Sequence, residues 1–178
     1  PLIVFDIETT GLMISSDKIV ELAYVKTWPD GRTKRDRMLI NPEMEITPEA
    51  SAVHSIKNVD VEQEPPFRAR AQEFWEIFHD CYYAGHNVLS FDLPLLRREF
   101  VRAGMDFVYK IEQIIDTRVI FQRMVKRSLS ATYEYYCRKR LTQEHTAQSD
   151  LEAAADILYH QLEKYKETRE LEFLKEAH

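Results

Sequence analysis

The reading of this chain turns on Leu2-Ile3-Val4-Phe5-Asp6-Ile7-Glu8-Thr9-Thr10-Gly11-Leu12, a short apolar run that closes on acids. The Val, Ile and Phe content of its first half suits a largely buried β-strand. Side chains alternate along a strand, so Asp6 and Glu8 project from the same face at its end. Two carboxylates together at the end of an apolar strand are costly unless neutralised, and a divalent cation with hard oxygen ligands is the simplest neutraliser. The plain alternative for this segment alone is an exposed strand end that happens to carry two acids.

Working outward, Ile19–Trp28 is rich in Val, Ile, Tyr and Ala, Pro29-Asp30-Gly31 signals a turn, and Arg35–Ile40 alternates again before Asn41-Pro42. Three successive strands with a hairpin between the second and third are expected. Thr47-Pro48-Glu49 then has the N-cap, first-turn proline and first-turn acid of a short helix. Phe67–Asp80 repeats Phe67, Ala71, Phe74, Trp75 and Phe78 at helical spacing, and Tyr82–Asn87 is a fourth strand. Ser90–Ala103 is expected as a helix with Leu93, Leu95, Leu96, Phe100 and Val101 apolar. Ile111–Asp116 is a fifth strand running into a basic helical stretch. A last helix is expected over about Ala147–Glu170, with Leu151, Ala154, Ala155, Leu158 and Leu162 on one face. An antiparallel meander followed by alternating helices and strands predicts an α/β fold, a mixed sheet with helices packed on it.

The 178 residues suggest one domain, placed over residues 1–166, with a charged tail over 167–178. Four glycines and seven prolines exclude low-complexity and linker-dominated classes. No apolar run reaches the ~20 residues that span a membrane. Cys81 and Cys137 show no C-x-x-C pattern and are expected as free buried thiols, consistent with a reducing, cytoplasmic setting. The chain begins with Pro1 rather than methionine, as expected of a processed or excised piece of something longer. A net charge of −6 argues against nucleic-acid binding until its distribution is read. Between Arg118 and Arg140 seven bases face the single acid Glu134, a local +6 that leaves −12 on the rest. A basic stripe on an acidic body suits a phosphate-handling protein with an anionic metal site; a solvated helix face is the bland alternative.

Further acids repeat the pattern of the first strand. Asp92, in Gly85-His86-Asn87-Val88-Leu89-Ser90-Phe91-Asp92, opens a helix just past the fourth strand, and Asp150 lies in the first turn of the last helix, five residues after His145. A first-turn acid is also a routine partner of the helix dipole. Four acids from three distant segments, each at a strand end or helix start, could converge on one pocket with a histidine beside it. Two metal ions about 4 Å apart in such a pocket clamp the attacking and leaving oxygens of a phosphoryl group.

The ordered set Asp6-x-Glu8-Thr9-Thr10-Gly11-Leu12, His86-Asn87-x4-Asp92 and His145-x4-Asp150 resembles the DnaQ-like (DEDDh) 3′→5′ exonucleases, over about Leu2 to Tyr165. Smaller matches are Asp17-x-Ile19-Val20-Glu21-Leu22, Val53-His54-Ser55-Ile56 and Ile115-Asp116-Thr117. The resemblance implies an RNase H-like fold and hydrolysis of phosphodiester bonds from the 3′ end of single-stranded nucleic acid, releasing nucleoside 5′-monophosphates. It implies that Asp6, Glu8, Asp92 and Asp150 hold two Mg²⁺ or Mn²⁺ ions. His145 would then be the general base for the attacking water, a role its ordinary pKa near 6.5 allows. Thr9, Gly11 and Leu12 correspond to the segment holding the 3′-terminal nucleotide. Asn87 and Phe91 correspond to positions lining the channel, Phe91 either as a stacking face or as core, and His54 to a histidine near the site. Asp116 and Thr117 are expected to be structural. A DNA substrate of the proofreading type is favoured over RNA, and a DNA polymerase subunit is an implied partner.

Two departures bear on the subfamily rather than the site: Ser128-Leu129-Ser130-Ala131 lacks the usual acid or amide after Ser-Leu, and Thr146-Ala147-Gln148-Ser149 is more polar than usual. Two other readings compete with the exonuclease. A haloacid-dehalogenase-type phosphatase needs an Asp two residues after the nucleophile, where this chain has Glu8. A catalytically silent binding module is disfavoured because all five expected positions are filled.

Overall fold

The computed structural model describes residues 1–126, 128–141 and 146–165. They divide into two compact units, Pro1–Phe121 and a second beginning at Gln122. In the first unit lie β1 (Leu2–Thr9), β2 (Ile19–Thr27), β3 (Thr33–Leu39), α1 (Pro48–His54), α2 (Asn58–Val61), α3 (Phe67–Phe78), β4 (Tyr82–Gly85), α4 (Asp92–Arg102) and β5 (Ile114–Asp116). Helix α5 (Thr117–Met124) contains the division, and α6 (Leu129–Cys137) and α7 (Ala147–Lys164) belong to the second unit.

The five strands form one sheet in the order β3-β2-β1-β4-β5. The β1–β2 and β2–β3 pairs are antiparallel, while β4 runs parallel to β1 and β5 parallel to β4. This is the RNase H-like mixed sheet expected from the sequence. Burial alternates along β1: Ile3, Phe5, Ile7 and Thr9 are buried, while Leu2, Val4, Asp6 and Glu8 lie on the other face. The buried face packs against Ala71, Phe74 and Phe78 of α3 and Leu93, Leu96 and Phe100 of α4. Of the apolar residues expected on those helices, Trp75 is partly buried and Val101 is exposed. A register shift between Glu8 and Thr9 breaks the alternation on β2, so that Ile19 and Val20 are both buried. Ile19 sits in the main core and Val20 in a second cluster with Ile46, Ile56 and Val61.

Local signals resolved as read at the start of α1, where Thr47 Oγ1 accepts the Ala50 N–H at 3.1 Å. Elsewhere the structure corrects the sequence. The fifth strand starts at Ile114 rather than Ile111, because the Gln113 side chain accepts the Lys110 N–H at 2.9 Å and folds Ile111–Gln113 into a 3₁₀ turn. Helix α4 begins at Asp92, not Ser90, since the Ser90 and Phe91 N–H groups both bond back to the Asn87 carbonyl. The basic stretch is two helices, α5 and α6, the second capped by Ser128. On α7 the buried stripe is Ala153 and Ile157, while Leu151 and Leu158 are exposed. The helix carries two apolar stripes, and periodicity alone does not say which one is covered. Helix α7 ends at Lys164, short of the expected Glu170; residues 166–170 of the expected span, the tail over 167–178 and His145 lie outside the described residues. Cys81 and Cys137 are buried free thiols. Among the described residues no helix is long and apolar enough to cross a membrane.

Candidate active site

Three of the expected acids meet at the end of β1. Strand β4 pairs with β1 as far as Val4 and Ala84 and ends one residue later, at Gly85. Gly85 permits their approach: a Cβ there would stand 2.8 Å from the Phe5 carbonyl oxygen. Where the ladder stops, Asp92 at the first position of α4 replaces it, its Oδ1 accepting the Ile7 N–H at 3.2 Å. The Asp92 carboxylate is thereby tied to the backbone between Asp6 and Glu8, although 85 positions separate it from Ile7.

The electrostatics are those of crowded, like-charged groups. Burial and then the Asp6 charge push Asp92 up to about 7, against the partial relief of its own N–H and that of Ile7. Burial raises Asp6, partly offset by His86. Burial and the Asp6 charge raise Glu8, with His54 opposing. Each group holds its negative charge at a cost that a nearby cation would remove. Among the described residues no group of three or more His, Cys, Asp or Glu side chains is arranged to hold a metal ion by itself. The donor chemistry nevertheless fits a divalent ion: hard oxygens only, mutually repelling, in one unit. Asp150 occupies the first turn of α7 in the second unit.

Beside Glu8 lies a cavity of about 520 Å³ whose walls include Thr9, Gly11, Leu12, Met13, Val53 and His54. Leu12, Met13 and Val53 present apolar side chains there at 85%, 64% and 83% exposure. His54 is fixed between two backbone groups: Nδ1 accepts the Ile56 N–H at 3.0 Å, so Nε2 carries the proton toward the Thr9 carbonyl at 3.2 Å. It thus joins the end of α1 to the end of β1. Thr9 is buried, with its hydroxyl donating to the Gly11 carbonyl at 2.6 Å.

The remaining expected residues are placed differently. Asn87 adopts a left-handed conformation, and its Oδ1 accepts from Arg118 at 2.7 Å. Phe91 is partly buried and packs against the main core. Asp116 anchors the loop after β4 by accepting from the N–H groups of Asn87, Leu89, Arg118 and Val119. Three contributors carried no role in the sequence. His86, placed between Asp6 and Thr117, bonds the Thr117 hydroxyl at 3.1 Å. The buried Glu99 pairs with Arg102 at 2.5 Å. Asp17 organises the Thr10–Met13 loop. His86 and Asp17 stand inside quoted motifs without a role, and Glu99 is marked by lying four residues from Leu95 and three from Leu96, on the buried stripe of α4.

Comparison with known proteins agrees with this architecture. A curated relative, 3′-5′ exonuclease DinG of Bacillus subtilis, is 32% identical over 170 residues; the match covers 93% of this chain and 18% of that protein. The chain therefore spans less than a fifth of that relative's length. The structure of exonuclease X in complex with 5′ overhanging duplex DNA shares the fold with a TM-score of 0.51 at 24% identity, covering 89% of both chains. The zinc-bound form of an Escherichia coli exonuclease I–single-stranded DNA complex gives a TM-score of 0.61 at 17% identity, over 97% of this chain and 42% of that one. The pattern that defines the family described as Exonuclease matches residues 3–158. With the mixed sheet and the carboxylates at the end of β1 in place, that match makes this chain a member of the exonuclease family.

Proposed function

We propose that this chain hydrolyses phosphodiester bonds at the 3′ end of single-stranded DNA, one nucleotide at a time, releasing nucleoside 5′-monophosphates. The observation that carries the reading is the convergence of Asp6, Glu8 and Asp92 at the end of β1, with raised pKa values, beside the cavity under Leu12. Members of this family depend on metal ions, and the relatives include a 3′-5′ exonuclease and an exonuclease complexed with single-stranded DNA.

In this reading Asp6, Glu8 and Asp92 hold two Mg²⁺ or Mn²⁺ ions, which when bound supply Lewis-acid stabilisation of charge on the phosphoryl oxygens. Asp150 as a further ligand and His145 as the general base rest on the sequence resemblance. The protein's own part is positioning. Thr9 and Gly11 shape the cavity floor, Leu12, Met13 and Val53 offer apolar surface to the terminal base, and His54 holds the Thr9 carbonyl in place. A polymerase partner rests on the resemblance alone and is not part of this reading.

The test uses 5′-labelled single-stranded DNA and RNA of matched sequence, incubated with Mg²⁺, Mn²⁺ or EDTA, with Asp6→Ala as the control for contaminating nuclease. The expected result is a ladder shortening from the 3′ end, faster on DNA, lost in EDTA and in the variant. A faster RNA ladder would replace the DNA assignment, and no ladder on either strand would replace the enzyme with a binding module.

A further inference from the structure

We propose that Asp17 is a positioning residue for the terminal-nucleotide cavity, holding the backbone on both sides of Leu12 so that its side chain is presented to the substrate in one place. The inference rests on the assignment of that cavity to the 3′-terminal nucleotide.

Leu12 is the most exposed of the large apolar side chains on this wall, and nothing in its own side chain fixes it. Its neighbours are fixed by one carboxylate. Asp17 is only 8% exposed, and its two oxygens are both engaged: Oδ1 accepts the Thr10 hydroxyl at 2.9 Å and Oδ2 accepts the Met13 N–H at 2.6 Å. The Thr10 hydroxyl accepts the Lys18 N–H at 3.1 Å in turn, closing the loop on itself. Between these contacts Gly11 packs directly on the carboxylate: a Cβ at this position would stand 2.7 Å from Oδ2. The absence of a side chain at Gly11 thus serves Asp17 as well as any ligand.

The backbone at Asp17 is itself held. Arg102 of α4 donates to the carbonyls of Asp17 at 2.7 Å and Ser15 at 3.0 Å, and is oriented by the buried Glu99. A chain of contacts therefore runs from α4, which begins at Asp92, through Arg102 to the loop that carries Leu12. A carboxylate that has spent both oxygens on its own loop does not bind substrate; its contribution is to remove conformational freedom that binding would otherwise have to remove.

The experiment compares the wild-type chain with Asp17→Ala, Asp17→Asn, Gly11→Ala and the double variant Gly11→Ala/Asp17→Ala. Binding of a 5′-fluorescein oligothymidylate is followed by anisotropy in Ca²⁺, and KM and kcat are measured in Mg²⁺, with circular dichroism as the check on folding. Asp17→Ala should weaken binding and raise KM on the order of tenfold, with kcat within about threefold. Asp17→Asn should recover most of this, since its carbonyl oxygen still accepts the Met13 N–H. Gly11→Ala should also weaken binding, since its methyl would stand 2.7 Å from Asp17 Oδ2, and the double variant should lose less than the sum of the two single changes, because removing the carboxylate relieves that clash. Wild-type KM and binding in both Asp17→Asn and Asp17→Ala would overturn the proposal. So would a loss confined to kcat and folded fraction. If Asp17→Ala fails to fold, Asp17→Asn and Gly11→Ala carry the test: wild-type binding in Gly11→Ala overturns it, and weakened binding supports it. A wild-type chain that binds the oligonucleotide without shortening it overturns the exonuclease reading alone, leaving the binding comparison to decide on Asp17. One that neither binds nor shortens it overturns both.

Discussion

Asp92 and Asp116 are alike in solvent exposure. Each is an aspartate at or next to a helix start, and each is nearly inaccessible, at 4% and 6% exposure. Their chemistry is opposite. Asp116 meets backbone N–H donors from Asn87, Leu89, Arg118 and Val119; these outweigh its desolvation and hold its carboxyl below the ordinary carboxylate value. Asp92 has only the Ile7 N–H and its own helix N–H, and burial, with the Asp6 charge added, pushes it up to about 7. Burial by itself marks neither function nor structure. What separates the two is whether the protein supplies the counter-charge itself or leaves it to be supplied by something bound.

The largest effect that this contrast predicts is catalytic. Asp92→Asn keeps an acceptor for the Ile7 N–H but removes the charge, and should lower kcat/KM by roughly 10²–10³-fold, the loss of several kcal/mol of charge stabilisation. In EDTA its melting temperature at pH 8 should equal or exceed that of the wild type, because the repulsion with Asp6 is relieved. A folded Asp92→Asn chain with wild-type turnover would break the comparison at once.

Asp116→Ala should do the reverse. Orphaning the loop donors of Asn87 and Leu89 should cost about 3 kcal/mol in denaturant unfolding, while the folded fraction keeps its turnover. Next in size is the response to metal: Mg²⁺ at a hundred times its dissociation constant should stabilise the wild type by about 2.7 kcal/mol, and Asp92→Asn much less. A scan of melting temperature with and without EDTA measures both.

The pH dependence sharpens the contrast further. A carboxylate whose folded pKa is raised binds more protons folded than unfolded. Asp92 therefore penalises the metal-free fold progressively as the pH climbs from near its ordinary 3.8 through about 7. The lowered Asp116 contributes stability that is present above its ordinary value and is lost only as the pH falls through its folded pKa, below 3.8. In EDTA the wild type should melt higher at pH 5.5 than at pH 8, with the slope flattened in Asp92→Asn and unchanged in sign in Asp116→Ala. The smallest effect belongs to Arg118→Ala. It removes the exposed bond to Asn87 Oδ1 and should change stability by no more than about 0.5 kcal/mol.

Much of this architecture was legible along the chain, for a local reason. The antiparallel meander, the Thr47 cap, the apolar stripes of α3 and α4 and the shared face of Asp6 and Glu8 all follow from spacing, turn chemistry and the period of a strand or helix. Where two local patterns competed, sequence reasoning chose wrongly: Ile111–Gln113 alternates like a strand but is turned by the Gln113 side chain, and the covered stripe of α7 is Ala153–Ile157.

The candidate site divides along the same line. The residue types, their order and their spacing marked Asp6, Glu8, Asp92, Asp150 and His145 as a set, because chemistry that needs hard oxygen donors constrains which side chains can be used. Sequence could not show that Asp92 completes the interrupted ladder at Ile7, that Asp116 is satisfied while Asp92 is not, or that Arg102 reaches the Asp17 carbonyl. Those facts depend on partners 85 positions apart for Asp92 and Arg102, brought together by the packing of α4 on the sheet. A side chain's type is written in the chain; its charge balance is the sum over whatever neighbours the fold delivers, and only the tertiary structure supplies those.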